Sequence, residues 1–137
     1  MILRLNVIIK VNKMSESECK NFLIVDADPV ARDAISVYIK DMRPDWRVLE
    51  AENGYQAMEI AEQYPINFFT IDEYLPILSG VNLIIELKRV HTPGKFVLLT
   101  LQLPDHLKAE IEVMAVKHLD KPITQETMIS ILKYFES

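Results

Sequence analysis

Three glycines, one cysteine and one tryptophan in 137 residues leave several chemistries without their material. The lone Cys19 excludes an internal disulfide and fits a reducing cytoplasm; it sits in a polar stretch with nothing to activate it. None of Gly54, Gly80 and Gly94 falls in the first loop, "VDADPVAR", so the backbone cannot close on a phosphate there as in a dinucleotide site or P-loop. The loop is equally poor in hydroxyls, which weakens a flavin-binding reading. His91, His106 and His118 lie far apart without metal-ligand spacing. Fifteen Lys and Arg against 20 Asp and Glu give a net charge of −5, scattered along the chain, which argues against nucleic-acid binding. No apolar run is long enough for a membrane span. The opening "MILRLNVIIKVNK" is broken by Arg4, and no small-residue cleavage site follows it.

What is present is a compact single-domain composition, half of it hydrophobic. Residues 1–20 read as a leader, either disordered or an added edge strand, ahead of one domain over 21–137. From Asn21 onward, short apolar runs at 22–25, 47–51, 66–71, 96–101 and 116–119 alternate with stretches whose apolar residues recur every three or four positions. Examples of the latter are Ala31, Ile35, Tyr38 and Met42, then Tyr55, Met58 and Ala61, and finally Met128, Ile131, Leu132 and Phe135. Most of the methionines fall on such faces and read as packing. Strand–helix alternation predicts an α/β fold: a flavodoxin-like, doubly wound parallel sheet of five βα units in the order 2-1-3-4-5. Asp28 followed by Pro29, and Ser79 followed by Gly80, read as helix starts. The sequence ends one residue after Glu136, from which we expect no room for a further output domain.

The predicted sheet gathers its polar residues at one edge. Asp26 stands at the tip of the first strand, Asp72 at the third, Thr100 at the fourth, and Lys121 just past the fifth. Each alone would be an ordinary strand-end or turn residue; all four at the strand ends where such sheets hold ligands read as one site. Clustered carboxylates need a cation, an ammonium or an oxygen-liganded divalent ion such as Mg²⁺. A carboxylate so held can attack phosphorus and form an acyl phosphate.

Asp26, Asp72, Leu75-Pro76, Gly80, Thr100 and Lys121-Pro122 together resemble the receiver domain of two-component response regulators, over about residues 21–136. "IDEYLPILSG" is similar to that family's phosphorylation-site segment, and Arg32 falls where the family often has an arginine. The resemblance implies Asp72 as phospho-acceptor, Asp26, Asp72 and the Tyr74 backbone carbonyl as Mg²⁺ ligands, Lys121 as phosphate partner and Thr100 as switch hydroxyl. His118 would stand where an aromatic often moves on activation. It further implies phosphotransfer from a histidine kinase or phosphotransfer protein and a downstream protein bound on residues 105–114, His118 and 125–136. No metabolic substrate, nucleic acid or membrane is expected, and chemistry is limited to taking and losing phosphate.

Four positions depart from the family pattern. Ala27 replaces an acid that commonly binds the metal, implying a weak Mg²⁺ site; Leu101 replaces a small residue at the entrance; Met114 replaces a glycine; His118 replaces the aromatic. Of these, Ala27 and Leu101 motivate a second reading, a pseudo-receiver that binds partners without phosphorylation.

Overall fold

The computed structural model describes residues 19–137. The leader expected over residues 1–20 lies outside them except for Cys19 and Lys20, which belong to no strand. Strands and helices alternate as β1 (Asn21–Val25), α1 (Pro29–Met42), β2 (Arg47–Ala51), α2 (Gly54–Gln63), β3 (Phe68–Asp72), α3 (Gly80–Arg89), β4 (Lys95–Thr100), α4 (Asp105–Met114), β5 (Lys117–Asp120) and α5 (Gln125–Phe135). The strands pair in parallel in the order β2-β1-β3-β4-β5, the arrangement expected from the sequence. Among the described residues, no helix is long and apolar enough to cross a membrane.

The central strands are apolar without a break because successive side chains leave opposite faces and both faces are covered. Leu23, Val25, Phe69, Ile71 and Leu98 join residues of α2, α3 and α4 in one core layer. Phe22, Ile24, Phe68, Val97 and Leu99 join α1 and α5 in the other. Each fully buried side chain of this kind contributes roughly 1.5–3 kcal/mol relative to exposure. At the N-terminal end of the strands the second layer closes on a stacked ladder, with Trp46 4.8 Å from Phe68 and Phe68 4.5 Å from Phe135 between ring centres.

Differences from the sequence reading are local, and β5 runs one residue later than expected, Lys117–Asp120. β3 starts two residues later than expected and takes in Asp72; β4 ends at Thr100 and leaves Leu101 outside it. Tyr55, expected on the core face of α2, is 59% exposed, while Ala57 is buried there. Gly54, Ala57, Met58 and Ala61 make the core-facing stripe at i, i+3, i+4 and i+7, and Tyr55, one position on from Gly54, falls beside it.

Helix starts follow elementary capping chemistry. The side chains of Asp28, Asn53, Ser79 and Thr124 accept the backbone N–H of Val30, Gln56, Asn82 and Thr127 in turn. α4 is the exception. Its N-cap is Pro104, with no side-chain bond; its C-cap Ala115 lies in the left-handed region at φ 55°; and Ile111 is its one buried residue.

Candidate functional site

β1 and β3 are adjacent but their following helices lie on opposite faces, so a crevice opens beyond their C-terminal ends. Asp26 follows the last residue of β1 and is buried. Its backbone N–H donates to the Ala51 carbonyl at 3.0 Å, continuing the pairing with β2 for one more residue. Its Oδ1 accepts the Asp28 N–H at 2.9 Å, which turns the chain into α1. The Asp28 carboxylate is then engaged with Val30 N–H at 3.0 Å, and Ala27 brings no ligand atom on its side chain.

Lys121 approaches from β5, anchored by its own N–H on the Thr100 carbonyl at 2.7 Å. The peptide to Pro122 is cis. The ammonium stands 2.7 Å from Asp26 Oδ2 and 3.4 Å from Asp72 Oδ1. The first contact is a hydrogen bond; the second is an ion pair only, and Asp72 Oδ1 has no hydrogen-bond partner although it is shielded from solvent. Burial pushes the Asp72 carboxyl above the ordinary carboxylate range, and the charge of Asp26 pushes it further; Lys121 and the backbone amide of Tyr74 pull the other way and lose. For Lys121 the largest effect, burial, favours the neutral amine, but the hydrogen bond to Asp26 and the charges of both acids outweigh it and hold the ammonium above its ordinary value. Two acids and one ammonium thus share one buried corner.

Three surrounding residues set this geometry. Arg32 reaches back from α1, donating from Nη1 to the Asp26 carbonyl at 2.6 Å and from Nε to Glu50 at 3.1 Å. Glu73 turns away from the acids to accept the Val81 N–H at 2.9 Å at the start of α3. Gly80 packs under the tip of β3, where a Cβ would fall 2.5 Å from the Asp72 carbonyl oxygen. Of these, only Arg32 and Gly80 attracted attention in the sequence, and only as family positions or punctuation; the structure gives the physical reason for each. Asp120, which had no expected role, lies 3.2 Å from His118.

The expected residues divide into two groups. Asp26, Asp72 and Lys121 line one cavity of about 550 Å³, and Tyr74 stands at its rim with Val30, Leu101 and Ile123. Thr100 is buried behind it, its hydroxyl 3.0 Å from Nε2 of His118. The rim is apolar: Val30 is 73% and Leu101 70% exposed.

Among the described residues, no group of three or more His, Cys, Asp or Glu side chains gathers to hold a metal. Mg²⁺, however, is commonly held by one or two carboxylates and keeps several waters. Two carboxylates beside the cavity, one with an unpartnered buried oxygen, fit that sparse set and no richer one.

A model of the response regulator receiver domain family matches residues 22–133. The chain belongs to that family. Among curated relatives of this receiver domain, it is 34% identical over 108 residues to the transcriptional regulatory protein YdfI of Bacillus subtilis, covering 77% of this chain and 50% of that protein. It is 27% identical over 116 residues to the probable transcriptional regulator ycf29 of Porphyra purpurea, covering 82% and 54%. The chain therefore spans about half the length of these relatives. Among solved structures, a CheY-like response regulator receiver domain protein from Methanospirillum hungatei superposes with TM-score 0.76 at 18% identity, covering 85% of this chain and 92% of that one. The response regulator TrrA of Thermotoga maritima, solved in complex with Mg²⁺-BeF, gives TM-score 0.72 at 20% identity, covering 85% and 98%. The fold is that of these receiver domains.

Proposed function

We propose that this receiver domain is a phosphorylation switch in two-component signalling, in which Asp72 accepts a phosphoryl group from a histidine kinase or phosphotransfer protein. The observation that supports it most is the buried, unpartnered Oδ1 of Asp72 beside Lys121 and above an open cavity. A buried carboxylate oxygen without a hydrogen bond is costly, and an incoming electrophile or cation removes that cost. As the Asp72 oxygen bonds to phosphorus, the P–N bond of the donor phosphohistidine breaks and the imidazole leaves with the electron pair. Lys121 meets the charge of the transferred group, and Thr100 supplies a neutral donor. Asp26, Asp72 and the Tyr74 carbonyl would hold Mg²⁺, which when bound neutralises phosphoryl charge.

The exposed apolar side chains of Val30 and Val37 on α1, continuous with the cavity rim through Ala34, suit docking of a protein donor rather than a free metabolite. The output partner binds residues 105–114, His118 and 125–136, where Val113 and Ile129 are exposed. A small phosphodonor with Mg²⁺ tests the reading. Wild type gains one phosphoryl group by intact mass and Asp72→Asn gains none.

One observation favours the pseudo-receiver reading: Asp28, the nearest further acid, caps α1, and Ala27 leaves the metal side of the pocket with a single β1-tip carboxylate. Absence of incorporation at saturating Mg²⁺, with partner binding intact, establishes that reading instead.

A further inference from the structure

His118 Nε2 has two neighbours, Thr100 Oγ1 at 3.0 Å and Asp120 Oδ1 at 3.2 Å. An imidazole nitrogen presents either one N–H or one in-plane lone pair, never both. With a proton on Nε2, the ring donates to the Asp120 carboxylate and the Thr100 hydroxyl proton is free for another acceptor. Without it, Nε2 accepts the Thr100 O–H, and the Asp120 carboxylate faces a lone pair. The Thr100 hydroxyl is buried and sits between the tip of β3 and the start of the Lys121 turn, since Leu99 O accepts Glu73 N–H and Thr100 O accepts Lys121 N–H.

We propose that His118 is a positioning residue that controls where the Thr100 hydroxyl proton goes: protonated, it releases that proton toward a phosphoryl group on Asp72, and with a bare Nε2 it withholds it. The proposal rests on Asp72 being the phospho-acceptor. With the single proton of the neutral ring on Nδ1, so that Nε2 is bare until the ring gains its second proton, the consequence is a receiver whose switching depends on pH through one side chain. The imidazole is faced by Thr100 from β4 and Asp120 from its own strand, and it shares its groove with Asp105, Lys108 and Glu112 of α4. Lys108 is paired with Asp105 at 2.8 Å, which leaves Asp120 and Glu112 as the acids facing the ring without that cation.

Linkage makes the idea testable in both directions: if protonation of His118 frees the hydroxyl for the phosphoryl group, a phosphoryl mimic must favour protonation of His118 to the same extent. The measurement is the NMR titration of the His118 ring in the whole chain, with and without Mg²⁺ and beryllofluoride. In the unliganded protein, Asp120→Asn lowers the titration midpoint by removing the acceptor of the N–H. Thr100→Val raises it by removing the donor that stabilises the neutral ring. Beryllofluoride raises the wild-type midpoint by about half a unit more than that of Thr100→Val, a roughly threefold coupling, and Thr100→Ser restores the difference. Equal shifts in wild type and Thr100→Val overturn the proposal, because the charge of the bound group alone then accounts for them. Midpoints unmoved in both unliganded variants overturn it whatever Asp72 does. Midpoints that move while beryllofluoride fails to bind overturn the phospho-acceptor reading and leave the competition for Nε2 standing.

Discussion

Asp72 Oδ1 lies 3.4 Å from the Lys121 ammonium, within ion-pair range, yet accepts no hydrogen bond. The acid is consequently a site of stored cost in the resting protein. Burial first, and Asp26 second, raise its folded pKa above the ordinary value, so the fold binds this proton more tightly than the unfolded chain does. The stability gained from protonation is complete below the ordinary carboxylate value and is lost as pH rises through the folded value. At neutral pH, Asp72→Asn should therefore melt higher than wild type, by on the order of 1 kcal/mol or a few degrees. Paired thermal melts from pH 3 to 8 check this. The gap between the two proteins should widen as pH rises through that window, and a constant gap contradicts the argument.

Lys121→Met removes the one cation between two buried acids. Loss of a partner from a fully buried pair costs about 3–5 kcal/mol, and the partial exposure of this ammonium reduces that to roughly 1–3 kcal/mol. Mg²⁺ should recover more stability in the variant than in wild type, since the ion supplies the missing positive charge. Melts with and without Mg²⁺ give the comparison. An equal Mg²⁺ effect in both proteins rules out an ion bound at this corner.

At Gly80, an alanine Cβ would stand 2.5 Å from the Asp72 carbonyl oxygen and 2.9 Å from the Glu73 Cα, both backbone atoms with little freedom to retreat. Gly80→Ala should destabilise by about 2 kcal/mol or more through overpacking. It should also slow phosphoryl acceptance, because relief of the clash displaces the tip of β3. Denaturant unfolding combined with a phosphorylation time course separates the two effects; a variant as stable as wild type refutes the packing argument.

Ile77 holds φ at 71° while 84% exposed, so a β-branched side chain occupies the left-handed region with almost no packing in return. Ile77→Gly or Ile77→Asn should stabilise the fold by roughly 1 kcal/mol. Chemical denaturation reads this directly, and destabilisation by both substitutions would mean that the side chain makes contacts in solution.

Arg32 fixes the Asp26 carbonyl at 2.6 Å and ties it to Glu50. Residues that orient a metal-binding acid typically influence affinity about 10–100-fold, so Arg32→Met should weaken Mg²⁺ binding by about tenfold. Fluorescence or calorimetric titration provides the test, with Glu50→Gln expected to give a smaller loss in the same direction.

The sheet order was legible because a doubly covered strand must be apolar at every position, and 22–25 and 97–99 are. The meeting of Asp26, Asp72 and Lys121 was legible for a related reason: parallel strands put all their C-terminal ends on one side, so position along the chain nearly determines position in space. The hydrogen bonds within the site were less accessible. Thr100 reads the same in sequence whether its hydroxyl faces the cavity or His118, and a rotation about one side-chain bond separates these arrangements. Asp28 was correctly read as a cap, but its consequence, that the capping carboxylate serves Val30 N–H, emerges only from the turn geometry. Tyr55 was misplaced because it stands three residues before Met58, a helical spacing, whereas Gly54 and Ala57 take the core positions beside Met58 and Ala61 and leave the ring on the flank of the stripe. Ile77 gave no warning, since left-handed backbone normally announces itself through glycine or asparagine.

The spare anchoring of α4 has a thermodynamic corollary. A helix with no side-chain cap at its start, an alanine in the left-handed region at its end and one buried residue has little to lose by opening. Its amides should exchange with deuterium earlier than those of α1 or α3, through excursions that leave the rest of the domain folded. Among the described residues, the segment bordering His118 is therefore one whose population a small free energy applied there can redistribute.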